Sequence, residues 1–143
     1  SNDVELDFDF EKVTEKSKDN PVFYVQYAYA RINSIFRALK LNLNSKIKVV
    51  DKDFSLNEHE LEIIKKISEW PRCVEIASNK LEPHRISFYL YELVTLFHAY
   101  WNMGQENKDY RFVNDLKNIN KSRLALLQAL SVVIENGAPN SAQ

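Results

Sequence analysis

The side chains with chemical potential in this sequence are aromatic residues that lie close to arginines. Tyr27 and Arg31 are four residues apart, and so are Phe97 and Trp101, which places each pair on one ridge if the segments are helical. Planar rings stack on unpaired bases, and arginine contacts phosphate or stacks as a plane. Single-stranded RNA is therefore a ligand that these residues fit.

The alternative for the same rings is that they fill a core. Phe97 and Trp101 lie on the apolar stripe of their segment, which favours the core for both. Tyr27 and Arg31 lie off the main stripe, so pattern alone does not choose between the two interpretations for this pair.

Metal, redox and nucleotide chemistry have weak support. His59, His84 and His98 are scattered without the spacing of a zinc site, and we interpret them as surface or helix-end residues. Cys73 is the single cysteine, which excludes an internal disulfide and fits a reducing cytoplasm. Two glycines cannot build a phosphate loop, so we expect no catalytic residue, cofactor or metal within this chain.

Composition indicates a helical domain. The chain has 143 residues, of which 45% are hydrophobic and 27% charged, enough for one domain with a real core. With only two glycines and four prolines it lacks the turn residues of a sheet protein. A net charge of −1 argues against RNA binding by bulk charge, although a local basic patch is compatible with it. No apolar run could span a bilayer and no leader is visible, so we expect a cytoplasmic protein.

Capping signals predict four to five helices in a bundle. Asn20-Pro21 opens a helix that runs to about residue 40, followed by a linker over 41–54. A capping box from Ser55 to Glu58 opens the next helix, and Pro71 opens a short helix over 71–80. Pro83 opens a helix over 83–102, which Gly104 ends. A polar loop over 104–117 precedes a last helix over 119–135, with Asn136-Gly137 as its C-cap.

The stretch NPVFYVQYAYARI, residues 20–32, resembles the signature that opens the anticodon-binding domain of bacterial arginyl-tRNA synthetases. Further similar stretches follow in the family's order, with a dozen near-identical positions in the first. They are residues 6–10 upstream, 81–98 in the long helix, 101–105 after it, and 123–126 and 133–137 in the last helix.

The resemblance implies an all-α, DALR-type domain of a class I synthetase that joins arginine to tRNA using ATP. It implies that the anticodon loop of tRNA(Arg) contacts Tyr27, Arg31, Phe97 and Trp101. The ATP-binding signatures belong to the catalytic domain of the same polypeptide, which is the second expected partner. We therefore expect this chain to be inactive alone, monomeric and not membrane-associated.

The expected organisation is a lead-in over 1–19, the anticodon-binding domain over 20–137 and a disordered tail over 138–143. The sequence departs from the family pattern at Tyr29, where many members have His, and in its ending after Gly137. Two alternatives remain open: a helical protein–protein interaction module, and the homologous anticodon-binding domain of another class I synthetase.

Overall fold

The fold is an all-α bundle, as predicted. A computed structural model describes residues 20–50, 56–115 and 119–138. Within these ranges lie five α-helices and one 3₁₀ turn: α1 Pro21–Ala38, α2 Glu58–Ser68, α3 Trp70–Asn79, α4 His84–Glu106, the 3₁₀ turn Lys108–Tyr110 and α5 Lys121–Gly137. The predicted lead-in over 1–19 lies outside the described residues, as does all of the predicted tail except Ala138. None of the described helices combines the length and apolar character needed to cross a membrane.

The start of α1 confirms the predicted cap. The Asn20 side chain accepts hydrogen bonds from the backbone N–H groups of Val22 and Phe23, at 3.1 and 3.4 Å, and Pro21 occupies the first turn. At the other end Lys40 adopts a φ of 58° while its N–H donates to the Arg37 carbonyl, which closes the helix at Ala38.

The start of α2 differs from the prediction. The capping box is formed by Asn57 and Glu60, not by Ser55 and Glu58, and Ser55 lies outside the described residues. Both pairs have the required spacing, so the sequence signal alone could not choose. Tertiary contacts make the choice: Asn57 Nδ2 donates to the Tyr100 hydroxyl at 3.1 Å, and the Glu60 carboxylate is buried.

Helix α4 is the centre of the bundle and packs against each of the other four helices. It runs to Glu106, so the prediction that Gly104 ends it is wrong. Gly104 lies buried inside the helix, where an added Cβ would be 3.1 Å from both the Arg111 Cα and the Tyr110 carbonyl oxygen. The glycine therefore permits close approach of the following chain segment, a tertiary requirement that the sequence does not reveal.

Gly137 has the same kind of role at the end of α5. The predicted C-cap glycine would adopt a positive φ, but no described glycine does so, and α5 includes Gly137 as its last residue. A Cβ there would lie 2.8 Å from Leu90 Cδ1 and 2.9 Å from the Trp70 ring. The absence of a side chain lets the end of α5 contact α4 and α3.

The hydrophobic core lies between α1, α4 and α5. Its apolar side chains repeat at helical spacing on each element, and burial of each stabilises the fold by about 1.5–3 kcal/mol. The completely buried members include Ile32 and Phe36 of α1, Leu93, Val94 and Phe97 of α4, and Leu127, Leu130 and Ile134 of α5. Tyr29 joins the outer helices, because its hydroxyl donates to Glu135 Oε1 at 2.6 Å.

Candidate nucleic-acid interface

Arg31 and Trp101 meet where α1 crosses the far end of α4. The guanidinium carbon of Arg31 lies 4.5 Å from the centroid of the Trp101 ring, a cation–π contact. Arg31 is only 5% exposed, whereas Trp101 is half-buried and keeps part of its indole at the surface. The structure thus brings together two of the four predicted site residues and presents one of them to solvent.

Tyr27 and Phe97 are placed differently. Tyr27 is half-buried and lies one turn before Arg31 on α1, as the four-residue spacing predicts. Phe97 is 0% exposed, with its ring 5.7 Å from the ring of Phe112. The resemblance implies an RNA contact for Phe97, but its side chain is enclosed in the core, because the position one turn before Trp101 on α4 faces the inside of the bundle.

A cleft opens beside Trp101, and sequence reasoning missed its other wall. It has a volume of about 280 Å³ and lies between the end of α4 and the chain that follows. Its lining residues are Ile35, Trp101, Gly104, Gln105, Tyr110, Arg111, Phe112 and Val113. The second wall is formed by part of the predicted polar loop over 104–117. The apolar residues Tyr110, Phe112 and Val113 in that loop were the signal that part of it packs against the bundle.

The cleft wall is held to α4 by backbone and ring contacts. Arg111 Nε donates to the Gly104 carbonyl at 2.7 Å. The Phe112 ring is stacked on Trp101 with a centroid distance of 6.3 Å and an interplanar angle of 22°. These contacts limit the movement of the indole, so the site is largely formed without a ligand.

A buried histidine, His98, lies behind this pair, so the interpretation of His98 as a surface or helix-end residue is wrong. His98 Nε2 must carry a proton, because it lies 3.3 Å from the Tyr24 carbonyl oxygen, which only accepts. Burial, together with the positive charge of Arg31, lowers the pKa of His98 to about 4. His98 is thus neutral at physiological pH, and Arg31 supplies the positive charge at this point of the bundle.

A basic strip continues from the end of α1. It comprises Arg37, Lys40, Lys46 and Lys48, all of them exposed. No Asp or Glu occurs over 20–50, although the whole chain has a net charge of −1. The segment after α1 is fixed to α5 by Gln128, whose side-chain amide donates to the carbonyls of Leu43 and Ser45. Positive charge is thus concentrated on one continuous part of the chain.

Comparison with known proteins defines the class first. Residues 25–139 match the DALR anticodon binding domain family, and the chain belongs to that family. Among curated relatives, the arginine–tRNA ligase of Pelagibacter ubique is 55% identical over 137 residues, covering 96% of this chain and 24% of the relative.

Other relatives carry the same name. The arginine–tRNA ligase of Roseobacter denitrificans is 47% identical over 141 residues, covering 95% of this chain and 24% of that protein. The arginine–tRNA ligase of Rhizobium meliloti is 47% identical over 138 residues, covering 92% of this chain and 24% of that protein. The chain thus spans about a quarter of the length of these relatives. No solved structure matches it.

Proposed function

We propose that this chain binds the anticodon loop of tRNA(Arg), as the anticodon-binding domain of an arginine–tRNA ligase. The observation that carries the proposal is the Arg31–Trp101 contact at the rim of a preformed cleft. Membership of the DALR family and the names of the relatives support the choice of ligand.

In this proposal, a splayed-out base stacks on the exposed part of Trp101 or on Tyr110, on opposite walls of the cleft. Stacking of one base on an aromatic side chain contributes about 1–3 kcal/mol. Arg31 fixes the indole from its buried side, and Tyr27 extends the surface by one helical turn. Phe97 supports Phe112 from the core and does not touch the RNA.

In this proposal the basic strip supplies phosphate contacts in addition to the base site. Lys46 and Lys48 are both exposed, whereas Ile47 between them is half-buried, so the two lysines are open to a phosphate backbone. Such contacts increase affinity without reading sequence.

Anticodon binding assists aminoacylation only through the catalytic domain, which uses ATP and must receive the acceptor end of the same tRNA. Binding energy gained at a distant surface contributes to the reaction by holding that end in place. We therefore expect the catalytic domain to be part of the same polypeptide and the isolated chain to be catalytically inactive.

The test is binding of fluorescently labelled anticodon stem-loops, measured by anisotropy. Trp101→Ala should weaken binding of the tRNA(Arg) stem-loop by about 1–3 kcal/mol, or roughly 5- to 150-fold, whereas Trp101→Phe should retain most of the affinity. Trp70→Phe is the matched control, because Trp70 packs against Tyr89 at the opposite end of α4.

Three results would contradict the proposal. If the folded Trp101→Ala variant bound the stem-loop as tightly as wild type does, Trp101 would not be part of the binding site. Preference for a stem-loop of another tRNA would indicate a different synthetase, and absence of RNA binding by the wild-type chain would favour a protein–protein module. Circular dichroism of each variant establishes that it is folded.

A further inference from the structure

A buried carboxylate begins a chain of contacts that ends at the cleft. Glu60, in the first turn of α2, is 0% exposed. Its backbone N–H donates to Asn57 Oδ1 at 2.9 Å, and its Oε1 accepts from the Asn57 N–H at 3.3 Å. Its other oxygen, Oε2, lies 3.4 Å from Arg123 Nε on α5. The capping box thereby fixes a negative charge where it faces an arginine.

Arg123 uses its two remaining nitrogens on the segment that follows α4. Nη1 donates to the Arg111 carbonyl at 2.6 Å, and Nη2 donates to the Asp109 carbonyl at 2.5 Å. One planar guanidinium, whose side chain is 12% exposed, therefore joins α2, α5 and the 3₁₀ segment. Lysine could not reproduce this arrangement, because it carries a single nitrogen without the fixed fork.

The segment held by Arg123 is the second wall of the cleft. Tyr110, Arg111 and Phe112 line that cleft, and Phe112 stacks on Trp101. Arg123 itself does not line it. The segment contains only a three-residue 3₁₀ turn, so its position depends on contacts with its neighbours.

We infer that Arg123, oriented by the buried Glu60, is a positioning residue that fixes the 109–112 wall against Trp101 and so preforms the RNA-binding cleft. The inference rests on the proposed function in so far as the cleft takes RNA. A buried ion pair is a costly way to gain stability alone, since apolar residues of similar volume do as well. Here the charge gives direction: the ion pair with Glu60 orients a guanidinium whose two hydrogen bonds, from Nη1 and Nη2, both go to one segment.

The experiment uses the full chain with Trp70→Phe, so that Trp101 is the one remaining tryptophan. Arg123→Lys keeps a positive charge near Glu60 but cannot hold both carbonyls. We expect unchanged far-ultraviolet circular dichroism, greater acrylamide quenching of Trp101 fluorescence, and affinity for the tRNA(Arg) anticodon stem-loop lowered on the order of fivefold. Arg85→Lys, in a surface pair with Glu82, is the matched control and should change neither readout.

A double-mutant cycle separates positioning from general stability. If Arg123 acts through the cleft, Arg123→Lys should cost little further affinity once Trp101 has been replaced by Ala. An equal loss of affinity in both backgrounds would overturn the inference, and so would wild-type quenching of Trp101 in a folded Arg123→Lys variant.

Failure of the proposed function is distinguishable from failure of this inference. If wild-type chain does not bind the stem-loop, the proposed function fails, while Trp101 quenching still tests whether Arg123 fixes the wall. If Arg123→Lys does not fold, Glu60→Gln replaces it, because glutamine keeps the shape but removes the charge and one of the two acceptor oxygens. Increased quenching in Glu60→Gln supports the inference, and unchanged quenching overturns it.

Discussion

At the scale of single residues, His98 links the candidate site to pH. Its ring lies 4.4 Å from the Tyr24 ring, and burial beside Arg31 lowers its pKa to about 4, from an ordinary value of 6.5. The unfolded chain therefore binds a proton at His98 at a higher pH than the folded chain does. The stability associated with the neutral ring is fully present above pH 6.5 and is lost as pH falls through 4.

This predicts a loss of stability on the order of 3 kcal/mol between pH 7 and pH 4 from His98 alone. Urea unfolding at several pH values measures it. The His98→Gln variant should be less stable at pH 7, because it disturbs the core, yet it should depend less on pH between 6.5 and 4. A variant with the same slope as wild type would show that His98 does not titrate in this window.

The limit of sequence reasoning is also clearest at single residues. The four-residue spacing places Tyr27 with Arg31 and Phe97 with Trp101, and the structure preserves both relations. Spacing cannot tell that Phe97 lies inside the core while Trp101 reaches its rim. That difference depends on Phe112, whose ring contacts both residues and comes from a segment that has no helical periodicity.

At the scale of elements, helix starts are predictable where the signal is local. Asn20-Pro21 caps α1 as expected, because both the side-chain bond and the fixed proline φ act within the first turn. The start of α2 is not predictable in this way, because only distant partners distinguish Asn57 from Ser55. Glycine inside a helix is unfavourable by itself, which is why the sequence predicts a helix end at Gly104. That prediction fails because the close approach of Arg111 requires a glycine inside the helix here.

Gly104→Ala tests the role of that approach. The new methyl group would meet the backbone of Tyr110 and Arg111 at 3.1 Å, and backbone cannot move aside as a flexible side chain would. We expect a destabilisation of about 1–3 kcal/mol in urea unfolding, with altered Trp101 fluorescence because the cleft wall shifts. Gly137→Ala is a matched control: in the Trp70→Phe background that isolates Trp101 fluorescence it should also destabilise, through Leu90, but leave that fluorescence unchanged. Unaltered Trp101 fluorescence in Gly104→Ala would contradict this account.

At the scale of the whole molecule, capping and composition predict the all-α class and the long α1 and α4. They do not show how charge is arranged. The net charge of −1 conceals that residues 20–50 contain five basic residues and no acidic one. The same stretch of sequence supplies both Arg31, which contacts Trp101 at the cleft, and the exposed basic strip.

This arrangement predicts that the strip and the cleft contribute to RNA binding in different ways. Replacing both Lys46 and Lys48 by Gln should weaken anticodon stem-loop binding at low salt. It should also reduce the slope of log affinity against log salt by roughly 0.7 for each phosphate that the strip no longer neutralises. Trp101→Ala should lower affinity at every salt concentration with little change in slope, because stacking releases no counterions.

The control is replacement of Lys65 and Lys80 by Gln, which removes the same charge from exposed positions on and just after other helices. An equal reduction of the slope in this control would mean that net charge acts on the RNA and not the strip.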